Sequence, residues 1–328
     1  MRVTVFGAKS YDRPFLQEAC RRHGHEPVFA EARLDRTTAA LTAGSEAACL
    51  FVNDLADAET LAALAQAGVR AIALRCAGFD NVDLSVARSL GMRVARVPAY
   101  SPHAVAEHAI GLMLMLNRKL HRAYNRVREG NFSLEGLLGF NLHGKTVAII
   151  GTGRIGAAAA TIMRGFGCTV LAHDLVPDPS LIAAGVRYVP LPAALAEAHV
   201  VSLHVPLNAA TRRMIDRTAI QHLRPGAMLI NTSRGGLIDT AAIIDGLKSG
   251  RIGALGLDVY EREGDLFFED RSDSVITDDV FSRLLTFPNV VITGHQAFFT
   301  KESLAEIAET TMTNLSAFAN GQATANDL

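Results

Sequence analysis

The run Thr146-Val147-Ala148-Ile149-Ile150-Gly151-Thr152-Gly153-Arg154-Ile155-Gly156 constrains the fold more than any other stretch of the chain. Its first five residues read as a buried strand. They lead straight into G-x-G-x-x-G, with a helical pattern behind it. Gly151 permits the tight turn, Gly153 lets a pyrophosphate approach the backbone, and Gly156 lets helix and strand pack closely. The first amides of the helix and its positive end then attract phosphate. A second strand, Thr169-Val170-Leu171-Ala172, runs into His173-Asp174. Asp174 stands 174 − 151 = 23 positions after Gly151, near the offset of the acid that binds the adenosine ribose. That carboxylate would repel a 2′-phosphate, and Leu175-Val176 follow it instead of an Arg. The expected cofactor is therefore NAD. A glycine turn with no ligand is the bland alternative; strand, helix and acid together argue against it.

Short apolar runs alternate with helical patterns through the rest of the chain. Val3 to Phe6, Ala48 to Val52, Ala71 to Leu74 and Val94 to Val97 read as strands. Asp12 is the expected N-cap of the first helix, with Pro14 in its first turn. This alternation predicts an α/β chain of two doubly wound parallel sheets, and 328 residues suit two domains. Ser101-Pro102 opens a helical pattern reaching about Glu129, where Gly130 can end it. The expected divisions are residues 1–100, a nucleotide-binding domain over 101–296, and a tail over 297–328 carrying a helix capped by Thr300. Leu266 to Asp279 is a long acidic connection, either functional or a plain surface excursion.

With 32 Lys and Arg against 33 Asp and Glu, no basic excess points to nucleic acid or an anionic membrane. Cys20, Cys49, Cys76 and Cys168 form no C-x-x-C pair, so no metal site is expected and a reducing compartment is. The N-terminus reads as a strand and not as a signal peptide. The apolar run Ile110 to Leu116 is too short to span a bilayer. A soluble cytoplasmic protein is expected.

Three polar residues follow expected strands of the second block. Arg234 follows Ala227 to Ser233, Glu263 follows Ala254 to Tyr260, and His295 follows Val290 to Gly294. Ligands of open parallel sheets bind beyond the carboxyl ends of the strands, so the three can meet beside a nicotinamide. Their types suit reduction of a 2-oxo acid. Arg is the bidentate partner of a planar carboxylate. His supplies the proton that the developing alkoxide requires. A carboxylate beside an imidazole orients it and favours its protonated form. Taken singly, each also reads as an ordinary surface or structural residue.

Several segments resemble the D-isomer-specific 2-hydroxyacid dehydrogenase family. They are Arg75-Cys76-Ala77-Gly78-Phe79-Asp80-Asn81-Val82-Asp83, Val97-Pro98-Ala99-Tyr100-Ser101-Pro102, Asn231-Thr232-Ser233-Arg234-Gly235, Asp258-Val259-Tyr260-Glu261 and Gly294-His295-Gln296-Ala297-Phe298. With Leu266 to Asp270 they are similar to its bacterial D-lactate-forming branch. The resemblance implies a flavodoxin-like substrate domain and a Rossmann NAD-binding domain with a cleft between them, the last helix returning to the first domain. It implies Arg234 on the substrate carboxylate, His295 as proton donor and Glu263, not Glu261, as its partner. Ala77, Gly78, Tyr100 and Phe298 would line the substrate site. Arg154, Ile155, Val205, Pro206, Thr211, Thr232, Ser233 and Asp258 would contact NAD. The implied substrate is pyruvate, in a homodimer or homotetramer. The alternatives are a reductase for glyoxylate, hydroxypyruvate or phenylpyruvate, and a non-catalytic NAD(H) sensor. Asp80 for the family's usual Asn, and Gly236 for Ala, are departures outside the three catalytic positions.

Overall fold

The computed structural model describes the backbone of all 328 residues and every side chain except that of Asp265. Two compact units emerge, one of Met1–Ser101 with Phe299–Leu328 and one of Pro102–Phe298.

The first unit begins with β1 (Arg2–Val5), α1 (Arg13–His23), β2 (Glu26–Phe29), β3 (Ala47–Leu50), α2 (Ala58–Gln66), β4 (Ala71–Leu74), α3 (Leu84–Ser89) and β5 (Arg93–Ala95). All five strands are parallel, in the order β2-β1-β3-β4-β5. That is the flavodoxin-like order. β3 and β4 are buried throughout, as central parallel strands covered on both faces must be. β2 was not anticipated, because Glu-Pro-Val-Phe is short and interrupted by Pro27; it lies at the sheet edge, where proline is tolerated. Asp12 precedes α1 but makes no side-chain cap. Its buried carboxylate instead meets Arg75 Nη1 at 3.0 Å.

The second unit holds α4 (Pro102–Arg118), α5 (Leu120–Arg128), β6 (Thr146–Ile150), α6 (Arg154–Gly165), β7 (Thr169–His173), α7 (Pro179–Ala183) and β8 (Arg187–Tyr188). It continues through α8 (Leu191–Glu197), β9 (Val200–Leu203), α9 (Arg217–His222), β10 (Ala227–Asn231), α10 (Thr240–Lys248), β11 (Ile252–Leu257), α11 (Asp279–Leu285) and β12 (Val290–Ile292). Its seven parallel strands run β12-β11-β10-β9-β6-β7-β8. This is the doubly wound dinucleotide-binding order extended by one strand. Apolar clusters line both faces: Leu229, Leu255 and Leu257 on one, Val147, Ile149 and Met113 on the other.

The helix expected from Ser101 to Glu129 is broken. Lys119 adopts a left-handed conformation, φ 51°, between α4 and α5. The cause is the returning segment 138–140. Asn117 donates to the Phe140 carbonyl and accepts from its amide, and Lys119 Nζ reaches the Leu138 carbonyl. A Cβ on Gly139 would lie 2.5 Å from the Asn117 carbonyl.

The last helix, α12 (Lys301–Ala319), is capped by Thr300, whose hydroxyl accepts the Ser303 amide. It packs on α1 and puts Met312, Leu315 and Phe318 into the core of the first unit. Among the described residues no helix is long and apolar enough to cross a membrane.

Candidate active site

In the second unit the carboxyl ends of the seven parallel strands share one edge. The order reverses between β6 and β9, and this switch point is where such sheets take ligands. Gly151–Gly156 leaves β6 there, beside His204-Val205-Pro206 leaving β9. A Cβ on Gly151 would fall 2.6 Å from the His204 carbonyl, and one on Gly156 would fall on the Gly151 carbonyl. Gly153 has open space around its Cβ direction and caps α6 with no side chain, so the first amides of α6 are left for an outside acceptor.

Asp174 follows β7 directly. Its carboxylate accepts the Thr152 amide and hydroxyl and the Val176 amide. Burial alone would raise this carboxyl; the donors of Thr152, Val176 and Leu175 outweigh it and hold it below the usual range. Tyr188 completes the group, donating to Thr152 Oγ1 at 2.9 Å. Leu175 and Val176 are almost fully exposed beside it.

His204 was not singled out from the sequence. Burial pushes its imidazole down to about 4. The residue is only partly buried overall, yet Nδ1 is shut from solvent with no hydrogen-bond partner among the described residues, and Nε2 meets Ser202 Oγ at 2.9 Å.

Thr232 Oγ1 is likewise buried without a partner among the described residues, at the carboxyl end of β10. An orphaned hydroxyl at this edge fits a polar ligand group. Ser233 Oγ donates to the Leu203 carbonyl and Thr211 Oγ1 to the Pro206 carbonyl. Arg154 is exposed and Ile155 half-buried at the start of α6.

Arg234, Glu263 and His295 leave the neighbouring strands β10, β11 and β12. His295 Nδ1 lies 2.8 Å from Glu263 Oε1, and Glu263 Oε2 accepts the Tyr260 amide at 3.0 Å. Glu261 points elsewhere, pairing with Arg213 at 3.1 Å. The ring of Phe268 sits 5.6 Å from the imidazole. Arg234 is half-buried, and its Nη1 donates to the Ser233 carbonyl.

Asp258, fully buried, accepts the Gln296 and Ala297 amides at 2.9 and 2.8 Å and the Thr293 hydroxyl. His108 on α4 reaches Thr293 Oγ1 at 3.0 Å. Neither Thr293 nor His108 was read from the sequence; a helical histidine among 11 carries no signal of its own.

Of the residues expected at the substrate, Ala77, Gly78 and Tyr100 belong to the first unit and Phe298 to the second. Arg96 Nη1 donates to the Ala77 carbonyl at 2.8 Å, and its guanidinium lies over the Phe79 ring.

Residues 110–297 match the family described as D-isomer specific 2-hydroxyacid dehydrogenase, NAD binding domain. Over 328 residues the chain is 50% identical to D-lactate dehydrogenase of Escherichia coli strain K12, covering all of both chains. The chain belongs to the D-isomer-specific 2-hydroxyacid dehydrogenases. Among solved members, the pyruvate reductase of Chlamydomonas reinhardtii superposes with a TM-score of 0.95 at 47% identity, over 99% of this chain and 98% of that one. D-lactate dehydrogenase with NAD+ from Lactobacillus jensenii gives 0.83 at 31% identity, over 100% and 99%. This dehydrogenase uses NAD and reduces 2-oxo acids.

Proposed function

We propose that the enzyme reduces pyruvate to D-lactate, with His295 as proton donor, Glu263 as its partner and Arg234 on the substrate carboxylate. The 2.8 Å contact between His295 Nδ1 and Glu263 carries this reading. A carboxylate only accepts, so the proton between them lies on Nδ1. Nε2 is then the ring position left to give a proton to the substrate oxygen. Glu263 is itself fixed by the Tyr260 amide, so it orients the ring. When bound, NADH supplies the hydride to C2 of the substrate. Arg234 offers a two-pronged guanidinium to the carboxylate. Phe268 keeps apolar surface against the imidazole and limits water there.

For the cofactor, the open cap of Gly153 and the amides of Arg154 and Ile155 suit the pyrophosphate. The ionised Asp174 suits the ribose hydroxyls, and Val205, Pro206, Thr211, Thr232, Ser233 and Asp258 complete the set at the same sheet edge. Ala77 and Gly78 would bind the substrate carboxylate, with Tyr100 and Phe298 limiting the length of its side chain. The D-lactate dehydrogenases and the pyruvate reductase among the relatives favour pyruvate.

We also propose a homo-oligomer. Tyr124, Phe132, Leu134 and Leu138 lie within one stretch at 62, 75, 82 and 88% exposure. So much apolar surface in one stretch suits a second copy of the chain. Four buried thiols suit a cytoplasmic setting.

The test is loss of NADH absorbance with pyruvate, glyoxylate, hydroxypyruvate, 2-oxobutyrate and phenylpyruvate, with the product's configuration determined. Highest kcat/KM on pyruvate, giving D-lactate, is the expected result. A higher kcat/KM on another 2-oxo acid would displace pyruvate, and NADH binding without turnover of any would overturn the catalytic roles.

A further inference from the structure

His295 holds a left-handed backbone, φ 54°. Only a few per cent of non-glycine residues do so, and the surrounding structure must impose it. The imposing residue is Asp258. Its carbonyl accepts the His295 amide at 2.8 Å, and its carboxylate accepts the two amides that follow and the Thr293 hydroxyl. The amides of residues 295–297 therefore all end on Asp258 or within the turn, while the Thr293 amide is held by the Leu257 carbonyl at 2.8 Å.

A fully buried carboxylate is costly unless donors surround it. The Thr293 hydroxyl is itself held from a distant helix. Thr293 has one hydroxyl proton and gives it to Asp258, so its oxygen can only accept from His108. His108 must then carry a proton on Nε2. That nitrogen also lies 3.4 Å from Asp258 Oδ1. His108 thus faces Thr293 and Asp258 together, tying α4 to the turn that carries His295.

We propose that His108 is a positioning residue for proton transfer: its Nε2–H fixes Thr293, and through Thr293 and Asp258 the direction of the His295 imidazole. This rests on the reading of His295 as proton donor. His108 touches neither substrate nor cofactor in this role, and its effect passes through the turn.

The experiment compares His108→Leu, His108→Gln and Thr293→Val with the unaltered enzyme. Glutamine places an amide N–H near the position of Nε2; leucine fills the space without donating. Three quantities are read: kcat for pyruvate reduction across pH, NADH affinity by fluorescence, and the rate of diethyl pyrocarbonate modification of His295 by peptide mass spectrometry. His108→Leu and Thr293→Val are expected to lower kcat about tenfold or more, shift the pH profile and change His295 reactivity, with NADH affinity within about twofold. His108→Gln is expected to recover most of the loss. Unchanged kcat, pH profile and His295 reactivity in folded His108→Leu would overturn the proposal. So would a His108→Gln protein as impaired as His108→Leu, since that would leave only a space-filling role. If His108→Leu does not fold, Thr293→Val tests the same tie. If the unaltered enzyme reduces no 2-oxo acid, the proton-donor reading fails, and the modification rates still decide whether His108 sets the His295 ring.

Discussion

His295 Nδ1 and Glu263 Oε1 stand 2.8 Å apart, on loops that leave the adjacent strands β12 and β11. The pair sets one tautomer of the imidazole, with the proton on Nδ1. Glu263→Gln removes that bias, because an amide can donate as well as accept. We expect kcat for 2-oxo acid reduction to fall about a hundredfold, with NADH affinity near its original value. Steady-state kinetics with fluorescence titration checks this; an unaltered kcat would show that the contact only stabilises the loop.

Asp174 is held ionised by the donors of Thr152, Val176 and Leu175 against its partial burial. On the proposed ribose-binding role, Asp174→Ala removes both the ribose acceptor and the repulsion of a 2′-phosphate. We expect KM for NADH to rise about tenfold or more, as for loss of a hydrogen bond to a charged group, while KM for NADPH changes less. An unchanged ratio of the two would count against the ribose role.

His204 makes the second unit acid-sensitive. Its folded-state value, about 4, lies below the ordinary 6.5 of an unfolded histidine. Between those values the unfolded chain binds the extra proton, so stability is full above about pH 6.5 and falls as pH drops toward 4. The slope for this one group is at most about 1.4 kcal/mol per pH unit. His204→Gln should flatten the decline of Tm between pH 7 and pH 5, read by calorimetry; parallel declines in the two proteins would place the acid sensitivity elsewhere.

The exposed side chains of Phe132 and Leu138 are the strongest candidates for contact between copies. Phe132→Ser with Leu138→Ser should lower the mass seen by light scattering to that of a monomer. A parent enzyme that is already monomeric at the same concentration would contradict the oligomer.

The legibility of this chain follows the range of the interactions involved. The turn from Gly151 to Gly156 and the acid at 174 are local signals, a strand, a turn and a fixed offset, and they read directly. The strand ends before Arg234, Glu263 and His295 read from apolar runs, and the parallel sheet puts those ends side by side. What escaped depends on partners far along the chain. Asp12 looks like a helix cap until Arg75, 63 positions away, takes its carboxylate. α4 looks continuous with α5 until residues 138–140 return against Asn117. His108 meets Thr293 across 185 positions. β2 was missed for a different reason, since an edge strand of four residues with a proline has almost no pattern to show.

The most direct test of the account is His295→Ala, assayed for pyruvate reduction and for NADH binding in the same preparation. The account predicts a fall in kcat of about 10²–10⁴-fold with NADH affinity close to that of the parent. A variant that binds NADH and keeps a kcat near the parent's would contradict it, because the proton would then come from another group.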